Sequence, residues 1–319
     1  MPSMWDAEQT VVVANPNAAG GRVGKQWGAL ERELKLRLGG VRLMLTERAG
    51  HATELAREAV AGGAKTILSM GGDGTHNEVI NGIMQADPAP GAVTLGLLPA
   101  GTGGDFRRMC VHNDDALTAA RALPKAESQL IDVGSLSFRT DDGEPAQRYF
   151  INIASFGIGG LVDRYANQSR KRLGGKATFY IATLKALAAY SPATVRVSID
   201  GQDMGEHVIT NVMICNGRFA GGGMMFAPEA RLGDGQFDVV FFQHKSALNT
   251  LAMSRSIYIG AHVESPLVTV HRGSKITAEV VTEAAAYLDI DGEAPGILPA
   301  EFHMHHQAIR LLDVRPEVV

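Results

Sequence analysis

Residues 66–83 constrain the chain more than any other stretch. Thr66-Ile67-Leu68-Ser69-Met70 is a short, mostly apolar run, and Gly71-Gly72-Asp73-Gly74 follows it directly. From Thr75 onward, Val79, Ile80 and Ile83 recur at helical spacing. This order predicts a buried strand, a tight loop and a helix in immediate succession. Three glycines in four positions leave Asp73 as the only Cβ in the loop, so a bulky anion can approach the backbone. The helix start behind it offers unpaired N–H groups and the positive end of its dipole. Asp73 puts a carboxylate where a phosphate belongs, which makes sense beside a metal ion, a hydroxyl or a ribose. A plain connection needs two glycines at most. The segment reads as a nucleotide-phosphate site with chemistry attached.

The pattern around it is repetitive in the first 135 residues. Apolar runs at 11–15, 41–46, 67–70 and 94–98 alternate with helical stripes. Trp27, Leu30, Leu34 and Leu38 mark one helix face, and Leu55, Ala56, Ala59 and Val60 another, which stops at Gly62-Gly63. Such alternation predicts an α/β domain, a parallel sheet covered by helices on both faces. After Asp132 the chain turns strand-rich over 128–158 and 193–243, with turn signals at Asp142-Gly143, Asp200-Gly201 and Asp234-Gly235. Helices are expected near 178–190 and 246–260. At 319 residues, two domains are expected. We place a nucleotide-binding α/β domain over 1–133, rejoined by 307–319, and a β-sandwich substrate domain over 134–306.

Composition narrows the functional classes. A net charge of −4 leaves no footprint for nucleic acid. Cys110 and Cys215 follow no metal or redox spacing, which suits a reducing cytosol. The first residues lack the basic and apolar regions of a signal peptide, and no apolar stretch reaches membrane-spanning length. The expected location is cytoplasmic, with peripheral contact at a membrane surface. The basic run Arg170-Lys171-Arg172 with Lys176 reads either as a solvated face or as a contact for anionic lipid.

Two further loops repeat the glycine theme after strands one and four. Asn15-Pro16-Asn17-Ala18-Ala19-Gly20 departs from a P-loop, having Ala19 and Gln26 where that motif needs Gly and Ser/Thr. Gly101-Thr102-Gly103-Gly104-Asp105 again combines glycines, a hydroxyl and an aspartate. Parallel strands open their crevice at their carboxyl ends, so the three loops are expected to converge. Gly157-Ile158-Gly159-Gly160 reads as a tight turn, because no dinucleotide-type unit follows. Asp289-Ile290-Asp291-Gly292-Glu293 carries the commonest hairpin signal. His303-Met304-His305-His306 reads as surface histidines rather than a metal site. Gly221 to Phe226 reads either as a lipid-facing loop or as core.

Taken in order, these motifs resemble the diacylglycerol kinase catalytic family, which includes bacterial lipid kinases and relatives acting on sphingosine and ceramide. The likeness is carried by Asn15-Pro16, Gly71-Gly72-Asp73-Gly74-Thr75 with Asn77-Glu78 and Asn81-Gly82, and Gly101-Thr102 with Asp105-Phe106. It continues through Asp132-x-Gly134, Asn152-x-Ala154-Ser155-x-Gly157 and Asp291-Gly292-Glu293. It implies a Rossmann-like first domain and a β-sandwich second domain, ATP as phosphoryl donor, Mg²⁺ as cofactor, and a lipid acceptor presented by a membrane surface. A homodimer is compatible with the family and is left open.

By the same resemblance, Asn15, Pro16, Asn17, Gly20, Thr46, Gly71, Gly72, Asp73, Gly74, Thr75, Asn77, Glu78, Gly101 and Thr102 belong to the ATP site. Asp73, Asp105 and Asp132 hold or organise the catalytic Mg²⁺, partly through water, and Glu293 accepts the proton of the acceptor hydroxyl. Arg231, Asp234 and Gln236 match a second, structural Mg²⁺ site, in which backbone carbonyls at 231 and 236 join the Asp234 carboxylate. The chain departs from the family in having Gly104 for an asparagine and Ala19 for a glycine. The glycine-aspartate-glycine-threonine motif is shared with NAD kinases, so one alternative is a related phosphotransferase acting on a soluble acceptor. Another is a nucleotide-binding regulator without turnover. The Asn15-Pro16 loop and the Asp291-Gly292-Glu293 ending speak against the first. The four carboxylates speak against the second, since a binder needs no base.

Overall fold

Four apolar runs of the first half become a parallel sheet. In the computed structural model, which describes residues 5–100, 104–111, 115–168 and 175–314, β1 (Thr10–Ala14) leads into α1 (Ala18–Leu38) and β2 (Arg42–Leu45). Then follow α2 (His51–Ala61), β3 (Thr66–Gly71), α3 (Asp73–Gln85), β4 (Thr94–Pro99) and α4 (Ala116–Ala122). The chain divides into two units, Met1–Val133 with Gln307–Val319, and Gly134–His306.

In the first unit the strand order is β2-β1-β3-β4, all parallel. β1 and β3 are buried along their whole length, as strands covered on both faces must be. Leu30, Leu34 and Leu38 of α1 point into the core, while Glu33 and Arg37 pair at 2.9 Å on its wet side. The helix ends on Gly39 at φ +80°, the left-handed backbone that favours glycine. The chain leaves β1 toward β2 on one side, while β3 lies on the other. This is the topological switch point at which open α/β sheets bind ligands. α2 and α3 approach so closely that a Cβ at Gly82 would run into the Thr53 carbonyl oxygen.

The second unit begins within β5 (Glu127–Arg139) and continues through β6 (Pro145–Phe150), β7 (Ile153–Gly157), α5 (Ile158–Gln168) and α6 (Gly175–Ala189). β8 (Ala193–Ile199), β9 (Gln202–Cys215), the short pair β10 (Phe219–Ala220) and β11 (Met224–Met225), and β12 (Phe237–Gln243) follow. α7 (Ala247–Ile257), β13 (Val268–Gly273), β14 (Lys275–Val280), β15 (Tyr287–Ile290) and β16 (Ile297–Asp313) complete the order.

One antiparallel layer runs β13-β12-β9-β7-β15. The first half of β9 pairs instead with β8, which continues through β14 to β16 as the opposing layer. Phe150, Phe156, Phe237, Phe241 and Phe302 fill the space between them, with Phe150 and Phe237 stacked at 5.5 Å. The chain re-enters the first unit along β16, whose Arg310 and Leu311 pair in parallel with β4. None of the described helices is long and apolar enough to cross a membrane.

One local expectation changes, and another segment gains detail. Gly157-Ile158-Gly159-Gly160 is not a tight turn. It is a strand-to-helix junction, because α5 starts at Ile158 and the Asn211 Oδ1 accepts the Gly159 N–H at 3.1 Å, giving that amide the partner a helix start lacks. Gly221 to Phe226 is partly buried, and Phe226 packs edge-on against Phe242 at 6.0 Å. The basic run 170–172 lies outside the described residues.

Gly82→Ala is expected to lower stability by about 1–3 kcal/mol through overpacking, although alanine is the better helix former by ~1 kcal/mol. Urea unfolding measures this. An unchanged midpoint would show that α2 and α3 separate without cost.

Candidate functional site

The strand ends of the first unit arrive in step. Thr46 N–H donates to the Ala14 carbonyl at 2.9 Å, Asn15 N–H to Met70 at 3.0 Å, and Ala100 N–H to Gly71 at 2.9 Å. The loops after β1, β3 and β4 therefore start side by side, though Gly101 and Thr102 lie outside the described residues. Asn15 Oδ1 accepts the Asn17 N–H at 3.0 Å, and the Pro16 carbonyl accepts Gly24 N–H at 3.4 Å. Gly20 has a left-handed backbone at φ +69° and is exposed. Neither Asn17 ahead of α1 nor Gly72 ahead of α3 caps its helix with a side chain. Gly72 is extended, Gly74 is exposed, and Thr75 packs so tightly on Gly71 that no Cβ fits there. Two adjacent helix starts thus keep their first-turn amides clear of side-chain caps.

Asp73 is the first residue of α3. Its Oδ2 accepts the Asp105 N–H at 3.3 Å, whereas its Oδ1 is buried without a hydrogen-bond partner. Burial pushes its pKa up, and the charge of Asp105 adds to the push. Arg108 stands 3.4 Å from Asp105 Oδ1. A buried carboxylate oxygen with no donor, beside a second carboxylate, is open to a further cation. These two residues fit Mg²⁺, which takes few carboxylates and keeps water and phosphate oxygens.

Asp132 has a different setting. It is 0% exposed, and its Oδ1 accepts the Gln307 N–H at 2.6 Å, where β16 bends with φ +51°. Among the described residues no three His, Cys, Asp or Glu side chains lie close enough to hold a metal ion directly. The structure brings together Asp73 and Asp105 and does not gather Asp132 into a ligating cluster with them.

The remaining motif residues of α3 serve packing. Asn81 Nδ2 donates to the Asn77 carbonyl at 2.9 Å and to its Oδ1 at 3.0 Å. Glu78 bonds outside its own helix. Its two oxygens accept Gly50 N–H at 3.0 Å and Ala52 N–H at 3.1 Å. α2 has no side-chain cap of its own, and Glu78 supplies one from the neighbouring helix. His76, 2% exposed, bonds Ser69 Oγ through Nδ1 at 2.7 Å. Burial, with the charge of Arg107 adding to it, pushes its pKa down to about 4.

In the second unit, Asp291 and Gly292 form a hairpin turn with φ +48° and +89°. Ile290 and Glu293 exchange backbone hydrogen bonds across it at 2.8 and 3.0 Å. Asp291 accepts Ile151 N–H at 3.3 Å and Ile153 N–H at 3.0 Å, which pins the turn to the start of β7. Glu293 is held out at the tip, its side chain 55% exposed and 3.9 Å from Arg148. Asp234 is ion-paired with Arg272, and its Oδ1 accepts the Gln236 N–H at 3.2 Å. The ion pair with Arg272 occupies Asp234 Oδ2, on the residue that the resemblance gives to a second Mg²⁺ together with the backbone carbonyls of Arg231 and Gln236. His303 bonds Glu301 at 2.7 Å and His305 bonds Ser135 at 2.9 Å, so those two histidines are held by protein partners.

Residues 9–136 match the diacylglycerol kinase catalytic domain family, and residues 152–313 match the YegS C-terminal NAD kinase beta sandwich-like domain family. A diacylglycerol kinase of Bacillus subtilis (strain 168) is 30% identical over 267 residues, covering 82% of this chain and 83% of that protein. One from Mycobacterium tuberculosis H37Rv is 30% identical over 268 residues, covering 83% and 82%. The crystal structure of a diacylglycerol kinase from Bacillus anthracis superposes with a TM-score of 0.71 at 20% identity, covering 98% of both chains. Yeast NADH kinase complexed with NADH superposes with a TM-score of 0.56 at 12% identity, covering 98% of this chain and 85% of that one. At those identities the two structures speak to fold alone.

Glu78→Ala leaves two helix amides without an acceptor and is expected to cost about 1–3 kcal/mol, read by thermal or urea unfolding. Glu78→Gln, with one acceptor oxygen in place of two, should recover part of it. His76 generates a pH dependence. The folded chain keeps it neutral while the unfolded chain protonates it near 6.5, so its contribution is complete above that pH and is lost as pH falls toward 4. The loss amounts to about 3 kcal/mol. His76→Gln should flatten unfolding free energy against pH across that window; an equal slope in both chains would refute the assignment.

Proposed function

This chain belongs to the diacylglycerol kinase family, and from that premise we propose that it transfers the terminal phosphoryl group of ATP to a hydroxyl of a membrane lipid such as diacylglycerol. The observation that carries this reading is the orphaned Asp73 Oδ1 beside Asp105, at the start of a helix whose loop is open to phosphate. A buried carboxylate oxygen without a donor is costly in a purely structural role.

The division of labour follows from the chemistry. Phosphoryl transfer asks a protein for positioning and charge neutralisation. The glycine-loop backbone, with the amides ahead of α1 and α3, binds the phosphates. Asp73 and Asp105 are the residues that would hold Mg²⁺, which when bound neutralises charge on the outer phosphates. Glu293 accepts the proton of the lipid hydroxyl as that oxygen bonds to the γ-phosphorus. The bond to the β–γ bridging oxygen breaks, and ADP leaves. The exposure of Glu293 suits a base that must meet an acceptor brought from a membrane surface. Asp132 we assign to holding the bend in β16 at Gln307.

Treating a total lipid extract with the protein, Mg²⁺ and ATP should add one phosphate mass to a single lipid class, seen by mass spectrometry. Labelled phosphate appearing on NAD alone, or ATP binding with no transfer to any lipid, would overturn the reading. Glu293→Gln is expected to lower turnover by roughly 10²–10⁴-fold, the worth of a general base, with ATP binding and folding retained. Turnover close to that of the parent would remove Glu293 from the mechanism.

A further inference from the structure

The Gly157-Ile158-Gly159-Gly160 run has no part in the transfer described above, yet it delivers a second carboxyl group to the Glu293 turn. A Cβ at Gly160 would run into the backbone of Tyr287 and Leu288. Glycine there lets the first turn of α5 lie directly on β15. Asp163 is three residues further along and so on the same helix face. It is 8% exposed, and its carboxyl interacts with that of Asp289. Asp289 also accepts the Ser155 hydroxyl through Oδ2 at 3.0 Å and the Gly292 N–H through Oδ1 at 2.9 Å. Gly292 immediately precedes Glu293.

Resting on the reading of Glu293 as proton acceptor, we propose that Asp163 and Asp289 are positioning residues: bonded to each other, they clamp the Asp291-Gly292 turn and set where the Glu293 carboxylate stands. The two are not equivalent. Two carboxyl groups share a hydrogen bond only when one of them carries the proton. Burial pushes both carboxyls up, but Asp289 already accepts two donors, the Ser155 hydroxyl and the Gly292 N–H, which hold it as the anion, so Asp163 is the neutral donor. Asp289 accepts from Asp163, Ser155 and Gly292 together. An amide at 289 would turn an NH₂ toward one of these donors, whereas an amide at 163 still donates. A serine, a helical aspartate and a turn amide thereby meet on one carboxylate.

The test compares Asp163→Asn, Asp163→Ala, Asp289→Asn and Glu293→Gln in the full chain, using ATP with diacylglycerol in phosphatidylglycerol vesicles. Asp289→Asn and Asp163→Ala are expected to lower kcat by roughly 10²-fold, the effect of misplacing a reacting group, with KM for ATP within about twofold of the parent. Asp163→Asn should keep at least ~10-fold more turnover than Asp163→Ala, because it retains the donor. Amide hydrogen exchange over 290–293 should quicken in Asp289→Asn and Asp163→Ala together. Equal turnover in the two Asp163 variants, or unchanged exchange at the turn, would overturn the proposal. If Asp289→Asn fails to fold, the Asp163 pair decides alone. If Glu293→Gln keeps its turnover, the role of Glu293 falls, and the exchange measurement still decides whether the couple clamps the turn.

Discussion

The parallel pairing of β1 with β3 is the constraint on which the first unit of this protein depends. Its register sets Ala14 beside Met70, so the loops that leave these strands begin next to each other. Both strands are buried throughout, and a slip of one residue would turn every apolar side chain to the wrong face. The switch point between them gives Asn15 and Gly72 their shared neighbourhood. The β7–β15 pairing does comparable work in the β-sandwich. It sets Ser155 opposite Asp289 and ends where the Asp291-Gly292 turn begins.

Most buried polar groups near these loops have protein partners. Asn77 is bonded by Asn81, Glu78 by two amides of α2, His76 by Ser69, and Asp132 by the amide of Gln307. Asp73 Oδ1 stands apart from this pattern. Structural motifs tend to close their own hydrogen bonds, while a site that binds an external charge must leave something open. This contrast separates residues of one glycine-rich stretch into two kinds. Asp73 keeps one oxygen without a donor, whereas its neighbours at 77 and 78 are hydrogen-bonded within the fold.

Much of the architecture was legible because period and punctuation are local properties. The stripe Leu30, Leu34, Leu38 announces α1, and Asp-Gly at 291–292 announces a hairpin whose left-handed dihedral angles few other residue pairs adopt. The helix at 158–168 was not legible. A glycine-rich start resembles a turn, and its cap comes from Asn211, far along the chain. The cap that Glu78 supplies was illegible for the same reason. Its partners at Gly50 and Ala52 lie 26 and more residues away, and a carboxylate beside a phosphate loop is read as belonging to it. Asp163 gave no local signal beyond its spacing from Gly160.

By itself, then, the sequence determined which segments are strands and helices, where the glycine loops fall and which acidic residues are available, since these depend on neighbours a few positions apart. Tertiary structure alone decided which carboxylates are already satisfied. It gave Glu78 to a helix start, Asp132 to a bent strand and Asp234 to Arg272, and it left Asp73 beside Asp105. The reason is physical: a carboxylate's role is set by the donors and charges within a few ångströms of it, and most of those arrive from distant parts of the chain.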